Sequence, residues 1–414
     1  MADNDNEAVA QVDERQSRVS ASPRFLVSRI DRRTLVAATA AHFINDFYVA
    51  FLAPLLPLVV ARFDLTLTLA GLLATILNTS AALSQPLFGA LADRMRRRFL
   101  VVLGPALTVA AMGLMGVAPS YGALILLLLL AGTGTASFHP QGASTAGFAS
   151  GQQKGVGLSL FVAGGELGFS LGPVVIATVV AAYGLSVTWM VALPGLLACL
   201  LLWRVVTPHH VAVVTRTHTL RAELREALRP LAMLWTVVVL RSIVISSYIT
   251  FLPLLLRERG GSIIAGGAAV FLFGGLGAIG GLAGGALSDR LGRRAVLALS
   301  LILSAPLLLL FVRGHQPWSY LFLAAGGITM YLSAAVTIVM AQELMPQRAS
   351  VASSIVMGLA WGVAGLSLTA VGALADAVGL ATALTWILSL TLAALAAVFF
   401  LPAPRQSTQS SQST

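Results

Sequence analysis

Long apolar segments constrain this chain more than any other feature of its sequence. A helix needs about 20 mainly apolar residues to cross the hydrocarbon core of a bilayer. Runs such as ALILLLLLAG do not alternate between polar and apolar residues, so they favour helices over the strands of a membrane β-barrel. The predicted spans are roughly 34–59, 69–92, 99–117, 121–144, 155–182, 185–206, 229–256, 263–288, 295–312, 318–341, 350–375 and 380–401.

The composition agrees with lipid as the main solvent. Hydrophobic residues make up 57% of the chain and charged residues only 10%, whereas a soluble domain carries about 25% charged residues. A single cysteine, Cys199, excludes an internal disulfide framework and a cluster of sulfur metal ligands. No H-E-x-x-H motif, paired cysteines or nucleophile elbow is present. We therefore expect no enzymatic activity, no cofactor and no metal site.

Basic residues orient the predicted spans. With a cytoplasmic amino terminus, an even number of spans places both termini in the cytoplasm, and nearly all basic loops lie on that side, as the positive-inside rule requires. The amino-terminal residues lack an apolar run with a cleavage site, so we expect no secretory signal peptide. Five of the 26 lysines and arginines fall elsewhere, namely Arg62, Arg241, Arg257, Arg259 and Arg313.

A polar break divides the chain into two blocks of six spans. Its residues RTHTLRAELREALRP predict a short amphipathic helix on the membrane surface. The predicted regions are a cytoplasmic tail at 1–33, a six-helix bundle at 34–206, a cytoplasmic linker at 207–228, a second six-helix bundle at 229–402 and a cytoplasmic tail at 403–414.

The two blocks carry the same loop motif after their second span. It reads GALADRMRRRFLVVL in the first block and GALSDRLGRRAVLAL in the second, which fits two bundles related by an axis along the membrane normal. The glycines allow close helix contact, and we predict that the aspartates accept from arginines or cap a helix, which would lock one transport state. Alternatively, the loops supply only positive-inside charges. The predicted gating residues are Gly89, Asp93, Arg94, Arg97, Gly285, Asp289, Arg290 and Arg293.

These loops resemble the signature of the major facilitator superfamily, over about residues 34–402. The segments HFINDFYVAFLAPLLPLV, GTGTASFHPQGAS and GGELGFSLGP resemble its fosmidomycin-resistance branch. The resemblance implies an all-α membrane protein with twelve transmembrane helices in two six-helix bundles. It also implies a multi-pass drug exporter of the bacterial inner membrane that works by proton antiport. We expect a monomer whose partners are protons, a small-molecule substrate and the lipid bilayer, and no nucleic acid.

The chain also departs from patterns common among such drug antiporters. Many carry an arginine of the proton relay four residues before a glycine like Gly132, whereas here that position is Leu128. Proton coupling therefore needs other residues. The GxxxGP pattern of the fifth span is kept, and the helix-packing residues predicted from it are Gly168, Gly172 and Pro173.

Ionisable residues inside the spans indicate an aqueous pathway. Each costs about 2.5–3.5 kcal/mol on insertion scales, so each needs a partner or water. His42 and Asp46 are four residues apart and share a helix face, while Arg241 occupies the position in span seven that the repeat relates to His42. The proton-coupling and substrate cavity is predicted to contain His42, Asn45, Asp46, Glu166, Arg241 and His139.

In the predicted mechanism, His42, Asp46 and Arg241 meet across this cavity. Protonated Asp46 leaves Arg241 free to hold an anionic cargo, because a guanidinium fork suits phosphonate or carboxylate oxygens. Ionised Asp46 pairs with Arg241 and displaces the cargo. The structural alternatives are a packing role for His42, a static Asp46–Arg241 pair, a backbone bond from Glu166, and a bond from His139 to carbonyls freed by the following proline.

The sequence leaves three functions open. The first is a proton-coupled antiporter that exports a small drug-like or anionic compound by alternating access. The second is a proton-coupled uptake permease for an organic anion or a sugar-like nutrient, because Arg241 suits transport in either direction. The third is a non-transporting membrane receptor or scaffold, which the charged residues of the cavity disfavour.

Overall fold

The computed structural model describes residues 30–94, 99–151, 153–206, 220–314, 317–345 and 349–401. These residues form helices and no strand, and twelve helical spans are long and apolar enough to cross a membrane. This confirms the predicted fold class. The spans are α1 (Arg32–Val49 and Leu52–Phe63), α2 (Leu67–Arg94), α3 (Phe99–Leu114, then Met115–Val117), α4 (Tyr121–Ala149), α5 (Lys154–Tyr183), α6 (Leu185–Val187, then Thr188–Val205), α7 (Leu220–Glu258), α8 (Ile263–Val270, Phe271–Gly275 and Gly277–Leu291), α9 (Arg293–Arg313), α10 (Ser319–Tyr331 and Ser333–Leu344), α11 (Ala349–Ser354, Ile355–Leu359 and Ala360–Val378) and α12 (Leu380–Ile387 and Ser389–Phe399).

Polar caps and glycines set several helix ends. The Asp31 side chain accepts from the amide of Thr34 at 3.1 Å and begins α1, and the Ser262 side chain caps α8 in the same way. Gly292 and Gly379 follow α8 and α11 with φ of 88° and 83°, a conformation that a residue with a side chain rarely adopts. The turns between spans are therefore short and defined locally.

Some spans are interrupted near their middle. α1 breaks at Ala50 and Phe51, because Pro54 lacks the amide that would bond to the carbonyl of Ala50. α8 contains a π-helical turn at Phe271–Gly275, and α10 is interrupted at Leu332. Such interruptions are tolerated in membranes where the freed backbone groups face protein or a water-filled cavity.

The segment predicted as a linker differs in part from the structure. α7 begins at Leu220, so the end of that segment continues directly into the seventh span instead of forming a separate surface helix. Its leucine, alanine, glutamate and arginine residues are strong helix formers, and Pro230 is accommodated inside the helix. Residues 207–219, 1–29 and 402–414, which hold most of the predicted linker and tails, lie outside the described part of the chain.

The two halves repeat one packing plan. α1 packs against α5, α2 against α4 and α3 against α6, and the pairs α7–α11, α8–α10 and α9–α12 repeat this in the second half. Glycines bring the helices close together. At Gly168 and Gly172 the carbonyls of Phe43 and Phe47 occupy the space that a Cβ would need. The internal repeat of the sequence therefore corresponds to a repeat of the fold.

The two bundles meet toward the outer face, which we define as the face opposite the chain ends near residues 30 and 401. Thr75 of α2 donates to the carbonyl of Gly365 in α11 at 2.8 Å and accepts from the hydroxyl of Thr369 at 2.9 Å. Gly267 of α8 lies against the backbone carbonyl of Pro173 in α5. These contacts join the outer halves of the two bundles.

Candidate functional site

A carboxylate in the middle of α1 pairs with two histidines. Nε2 of His42 lies 3.2 Å from Oδ2 of Asp46, and Nε2 of His139 in α4 lies 3.6 Å from Oδ1 of Asp46. The side chains of His42, Asp46 and His139 are 9%, 17% and 29% exposed, so water reaches the group mainly at His139. We call these three residues the carboxylate–histidine cluster.

Backbone carbonyls fix the orientation of both rings. Nδ1 of His42 lies 2.8 Å from the carbonyl oxygen of Phe161, and Nδ1 of His139 lies 2.9 Å from that of Thr135. A carbonyl oxygen only accepts, so each Nδ1 carries a hydrogen and each Nε2 has a lone pair when its ring is neutral. The contact between His42 and Asp46 therefore needs a shared proton, either on Nε2 or on the carboxyl group.

Asn45 connects this cluster to α3 and α4. Its Nδ2 donates to Oδ1 of Asp46 at 2.9 Å, and its Oδ1 lies 3.0 Å from the hydroxyl of Thr108 and 3.4 Å from that of Thr135. Asn45 is fully buried, and its partners satisfy an amide that would otherwise be costly there. Sequence reasoning missed both threonines, because threonines inside helices usually bond to their own backbone.

Glycines of α5 make room for the His42 ring. A Cβ at Gly165 would collide with this ring, and a Cβ at Gly164 would collide with Thr39. The ring also stacks on Phe161, with 4.2 Å between the ring centroids. Gly164 and Gly165 therefore have a structural role, and the ionisable residue Glu166 follows them directly.

Glu166 lies on α5, within electrostatic reach of residues of both bundles. Its side chain is exposed, and its charge acts on His42 and Asp46 in its own bundle and on Tyr331 in α10. Tyr331 also lies within electrostatic reach of Arg241. Tyr331 therefore has an acidic group of one bundle and a basic group of the other within electrostatic reach. Sequence reasoning missed it, although a tyrosine far from either membrane interface is an unusual signal.

Arg241 is a buried cation without a carboxylate partner among the described residues. It is 5% exposed, its Nη1 donates to the hydroxyl of Ser333 at 2.7 Å, and its Nε has no hydrogen-bond partner there. Ser333 also accepts from Ser300 at 3.1 Å. A guanidinium with unused donors in a buried place favours an anionic group as its ligand.

The predicted contact between Asp46 and Arg241 is wrong for this conformation. Asp46 pairs with His42 and His139 in its own bundle, and Arg241 bonds to Ser333 in the other bundle. In this conformation these contacts of each charged group are therefore within its own bundle. The structure brings together His42, Asn45, Asp46 and His139, with Glu166 near them.

The second copy of the loop motif forms links within its own bundle. Nη1 of Arg293 lies 2.6 Å from Oδ1 of Asp289 and 2.6 Å from the hydroxyl of Ser288. Nη2 of Arg293 lies 3.3 Å from Oε1 of Glu343 at the end of α10. These bonds join α8, α9 and α10, so in this conformation they brace one bundle and do not link the two.

Gly285 and Arg290, two other predicted gating residues, lie in α8 together with Asp289. Arg290 is exposed, and a Cβ at Gly285 would lie 3.8 Å from Ala335, so that glycine is not tightly enclosed. α2 includes the beginning of the first loop motif. The residues of this motif whose side chains lie outside the described part of the chain are Gly89, Asp93, Arg94 and Arg97.

The carboxylate–histidine cluster also has the geometry of a metal site. One potential ligand atom from each of His42, Asp46 and His139 lies within 4.8 Å of the others. Two imidazoles and a carboxylate are a ligand set that zinc-like ions accept. A proton and such an ion would use the same atoms, so experiments on this cluster need a chelator control.

A family model described as the Major Facilitator Superfamily matches residues 38–366, which run from the first part of α1 into α11 and include the central polar residues. The chain belongs to this superfamily. Twelve helices in two repeated bundles, with ionisable residues between them, agree with that membership. The predicted assignment from the loop motifs is therefore confirmed, and the chain is a multi-pass membrane transporter by family.

Relatives with drug-resistance names are similar to this chain over most of its length. The fosmidomycin resistance protein of Escherichia coli (strain K12) is 29% identical over 352 residues, which cover 83% of this chain and 86% of that protein. The uncharacterized MFS-type transporter YfnC of Bacillus subtilis (strain 168) is 29% identical, with 84% and 87% covered. The multidrug resistance protein MdtG of Citrobacter koseri is 26% identical, with 69% and 74% covered.

Solved structures share the fold. A bacterial homologue of the human lysosomal transporter Spinster, in an inward-facing and unoccupied conformation, matches with a TM-score of 0.77 at 16% identity, covering 90% of this chain and 97% of that one. The nucleoside transporter NupG matches with a TM-score of 0.70 at 14% identity, covering 89% and 99%. At these identities the likeness shows the fold alone.

Proposed function

We propose that this protein exports a small drug-like or anionic compound by alternating access, in exchange for protons. The observation that carries the proposal is the contact of His42 with Asp46, which needs a shared proton and lies in the middle of a membrane span. The names of the relatives, fosmidomycin resistance and multidrug resistance, support export as the direction. We further propose the bacterial inner membrane as the location and a monomer as the working unit.

The two ligand sites are assigned to different bundles. The proton occupies the carboxylate–histidine cluster of the first bundle, and an anionic group of the cargo binds Arg241 of the second bundle. Tyr331 is within electrostatic reach of both Glu166 and Arg241, so we assign both Tyr331 and Glu166 to the surface that a cargo bridging the bundles contacts. Rocking of the bundles then exposes both sites to either face of the membrane in turn.

Whether proton and cargo move in opposite directions or in the same direction depends on which groups the cargo contacts. A cargo whose positive or hydrogen-donating group reaches Asp46 or Glu166 competes with the proton, so its binding releases a proton. Proton and cargo then move in opposite directions. Exchange therefore requires a cargo with two kinds of polar group. One is an anionic group that binds Arg241, and the other is a hydrogen-bond donor that binds Asp46 or Glu166.

The second candidate, a proton-coupled uptake permease, is favoured by the lack of a carboxylate beside Arg241 among the described residues. If an anionic cargo touches only Arg241, the positive charge of the protonated cluster favours its binding. Proton and cargo then move together. In the mechanism predicted from the sequence, protonated Asp46 frees Arg241 for the cargo. Proton and cargo then bind together and move in the same direction, so that mechanism describes cotransport. Exchange therefore requires a direct contact of the cargo with the acidic groups.

Proteoliposomes distinguish these functions. The purified protein is reconstituted with a trapped pH-sensitive dye, and fosmidomycin is added outside as the first probe, with EDTA present to remove metal ions. Proton movement opposite to the probe supports exchange, and movement in the same direction supports uptake. A panel of antibiotics is then tested in the same way. Failure of every probe to move protons, with transport of a probe intact, would contradict proton coupling.

A further inference from the structure

A third copy of the GALxD pattern lies at the outer face. GALAD at Gly372–Asp376 repeats the five residues Gly89–Asp93 and the related Gly285–Asp289. The first two copies lie at the inner ends of α2 and α8, whereas the third lies at the outer end of α11. The same short pattern therefore occurs at opposite faces of the protein, which raises the question of what the third copy contacts.

The carboxylate of Asp376 caps the beginning of α2. Oδ1 accepts from the amide of Leu67 at 2.8 Å, and Oδ2 accepts from the amide of Thr68 at 2.8 Å and from the Thr68 hydroxyl. The first amides of a helix have no partner within it, and the helix dipole favours a negative charge at this end. Asp376 belongs to the second bundle and α2 to the first, so this cap crosses the interface between the bundles.

The backbones of α2 and α11 approach closely beside this cap. Gly372 has no space for a Cβ, because the carbonyl of Leu67 and the backbone of Thr68 occupy it. One turn further along α2, Gly71 has the same relation to the carbonyl of Leu368 in α11. The cap therefore ends a continuous contact along the outer half of the two helices, and it cannot persist if these halves separate.

We propose that Asp376 is the latch of the outer gate. Its bonds to Leu67 and Thr68 hold the outer face closed in the inward-facing state and break when the bundles open that face. Because α2 and α11 run antiparallel, Asp93 and Asp376 occur at opposite ends of this helix pair. Asp376 contacts no cargo and acts only by positioning α2 against α11. The inference rests on the alternating-access part of the proposed function.

Distance measurements by pulsed electron paramagnetic resonance test the latch. In a Cys199→Ala background, one pair of spin labels on the outer face replaces Pro119 and Trp318, and another on the inner face replaces Gln153 and Leu291; all four positions are exposed. The full chain is studied in lipid nanodiscs. For each variant, the distances measured with the two pairs of spin labels give the ratio of inward-facing to outward-facing molecules.

Asp376→Ala removes all three bonds, and we expect the ratio to shift about tenfold toward the outward-facing state, which corresponds to about 1.4 kcal/mol. Asp376→Asn keeps one acceptor oxygen, so we expect a smaller shift in the same direction. Asp64→Asn is the matched control. It removes the same charge from the same face, at a residue with φ of 51°, where asparagine is well tolerated.

The outcomes separate the latch from the transport mechanism. If the parent protein populates both states and Asp376→Ala and Asp376→Asn leave its ratio unchanged, the latch is wrong and alternating access stands. If Asp64→Asn shifts the ratio as much as Asp376→Ala, surface charge and not the cap is responsible, which also overturns the latch. If the parent and all variants keep one fixed pair of distances, alternating access itself is contradicted. Should Asp376→Ala not fold, Asp376→Asn and Thr68→Ala provide the same test.

Discussion

The first bundle holds a carboxylate between two histidines, whereas the second holds an arginine against serine hydroxyls, although both bundles follow one packing plan. Histidine and aspartate change charge with pH, while arginine stays protonated in proteins. The same helix arrangement therefore supports an exchangeable charge in one bundle and a fixed charge in the other. We assign the proton to the first and the anionic part of the cargo to the second.

The two sites also differ in how many neighbouring groups hold their side chains in place. In the first bundle, carbonyls of Phe161 and Thr135 and the amide of Asn45 hold the cluster in one orientation. In the second bundle, Arg241 has one hydroxyl partner and an unused Nε among the described residues. A proton site needs fixed geometry, whereas a cargo site needs free donors.

Replacing Asp46 by asparagine breaks the first site completely. An asparagine amide at this position cannot share a proton with His42, so we expect proton-driven transport in proteoliposomes to fall about 100-fold or more, as for the loss of a proton-transfer group. Transport of the probe down its own gradient is expected to remain, since Arg241 is intact. Asp64→Asn serves as the charge-matched control. Unchanged proton-driven transport in the Asp46 variant would exclude this role.

Replacing Arg241 by glutamine tests the second site. We expect the affinity for an anionic probe to fall about 10- to 100-fold, because a hydrogen bond to a charged group contributes about 1.5–3 kcal/mol. Arg241→Lys restores the charge but not the planar fork, so it should recover only part of the affinity. Binding is measured by titration calorimetry. Full affinity in the glutamine variant would mean that the anionic group binds elsewhere.

The two histidines of the cluster should differ in their effect. His42 is nearer to Asp46 and more buried than His139, so we expect His42→Gln to reduce proton-driven transport about tenfold and His139→Gln about threefold. Both losses are smaller than the roughly 100-fold typical of losing a proton-transfer group, because the carboxyl group of Asp46 remains. Both variants should flatten the dependence of transport on pH between about 5 and 8, where histidine changes charge. Transport rates measured across this range give the test. Equal effects, or a larger one at His139, would reverse the assigned order.

The smallest effect is expected for a substitution of Tyr331. Tyr331→Phe removes one hydroxyl that lies within electrostatic reach of Glu166 and Arg241, and we expect a roughly twofold loss of probe affinity, about 0.5 kcal/mol. Tyr248→Phe is the matched control, because the Tyr248 hydroxyl is buried without a partner among the described residues. Equal losses in both variants would show a general effect of the substitution.

Local patterns made much of this molecule predictable from its sequence. Apolar length predicted the spans, and the repeated loop motif predicted the two bundles. The pairing of His42 with Asp46 followed from their spacing of four residues along one helix. The partnership with His139, which lies in another span, did not follow, because sequence spacing contains no distances between helices.

The incorrect pairing of Asp46 with Arg241 has the same cause. The repeat relates the two helices by position, but it does not say how far apart the bundles stand on the inner side. Serine and threonine hydroxyls also provide partners that the sequence does not distinguish from ordinary helix residues, as Ser333 and Thr108 do here. Charge pairs between bundles therefore depend on the conformation, while pairs within one helix do not.

The central claim is that the cluster around Asp46 holds the proton that the cargo displaces. Its most direct test is proton release on binding, measured with a pH-sensitive dye in weakly buffered, EDTA-treated protein to which fosmidomycin is added. We expect the parent protein to release protons and Asp46→Asn to release none while still binding through Arg241. Proton uptake by the parent protein, or equal release by Asp46→Asn, would contradict the claim.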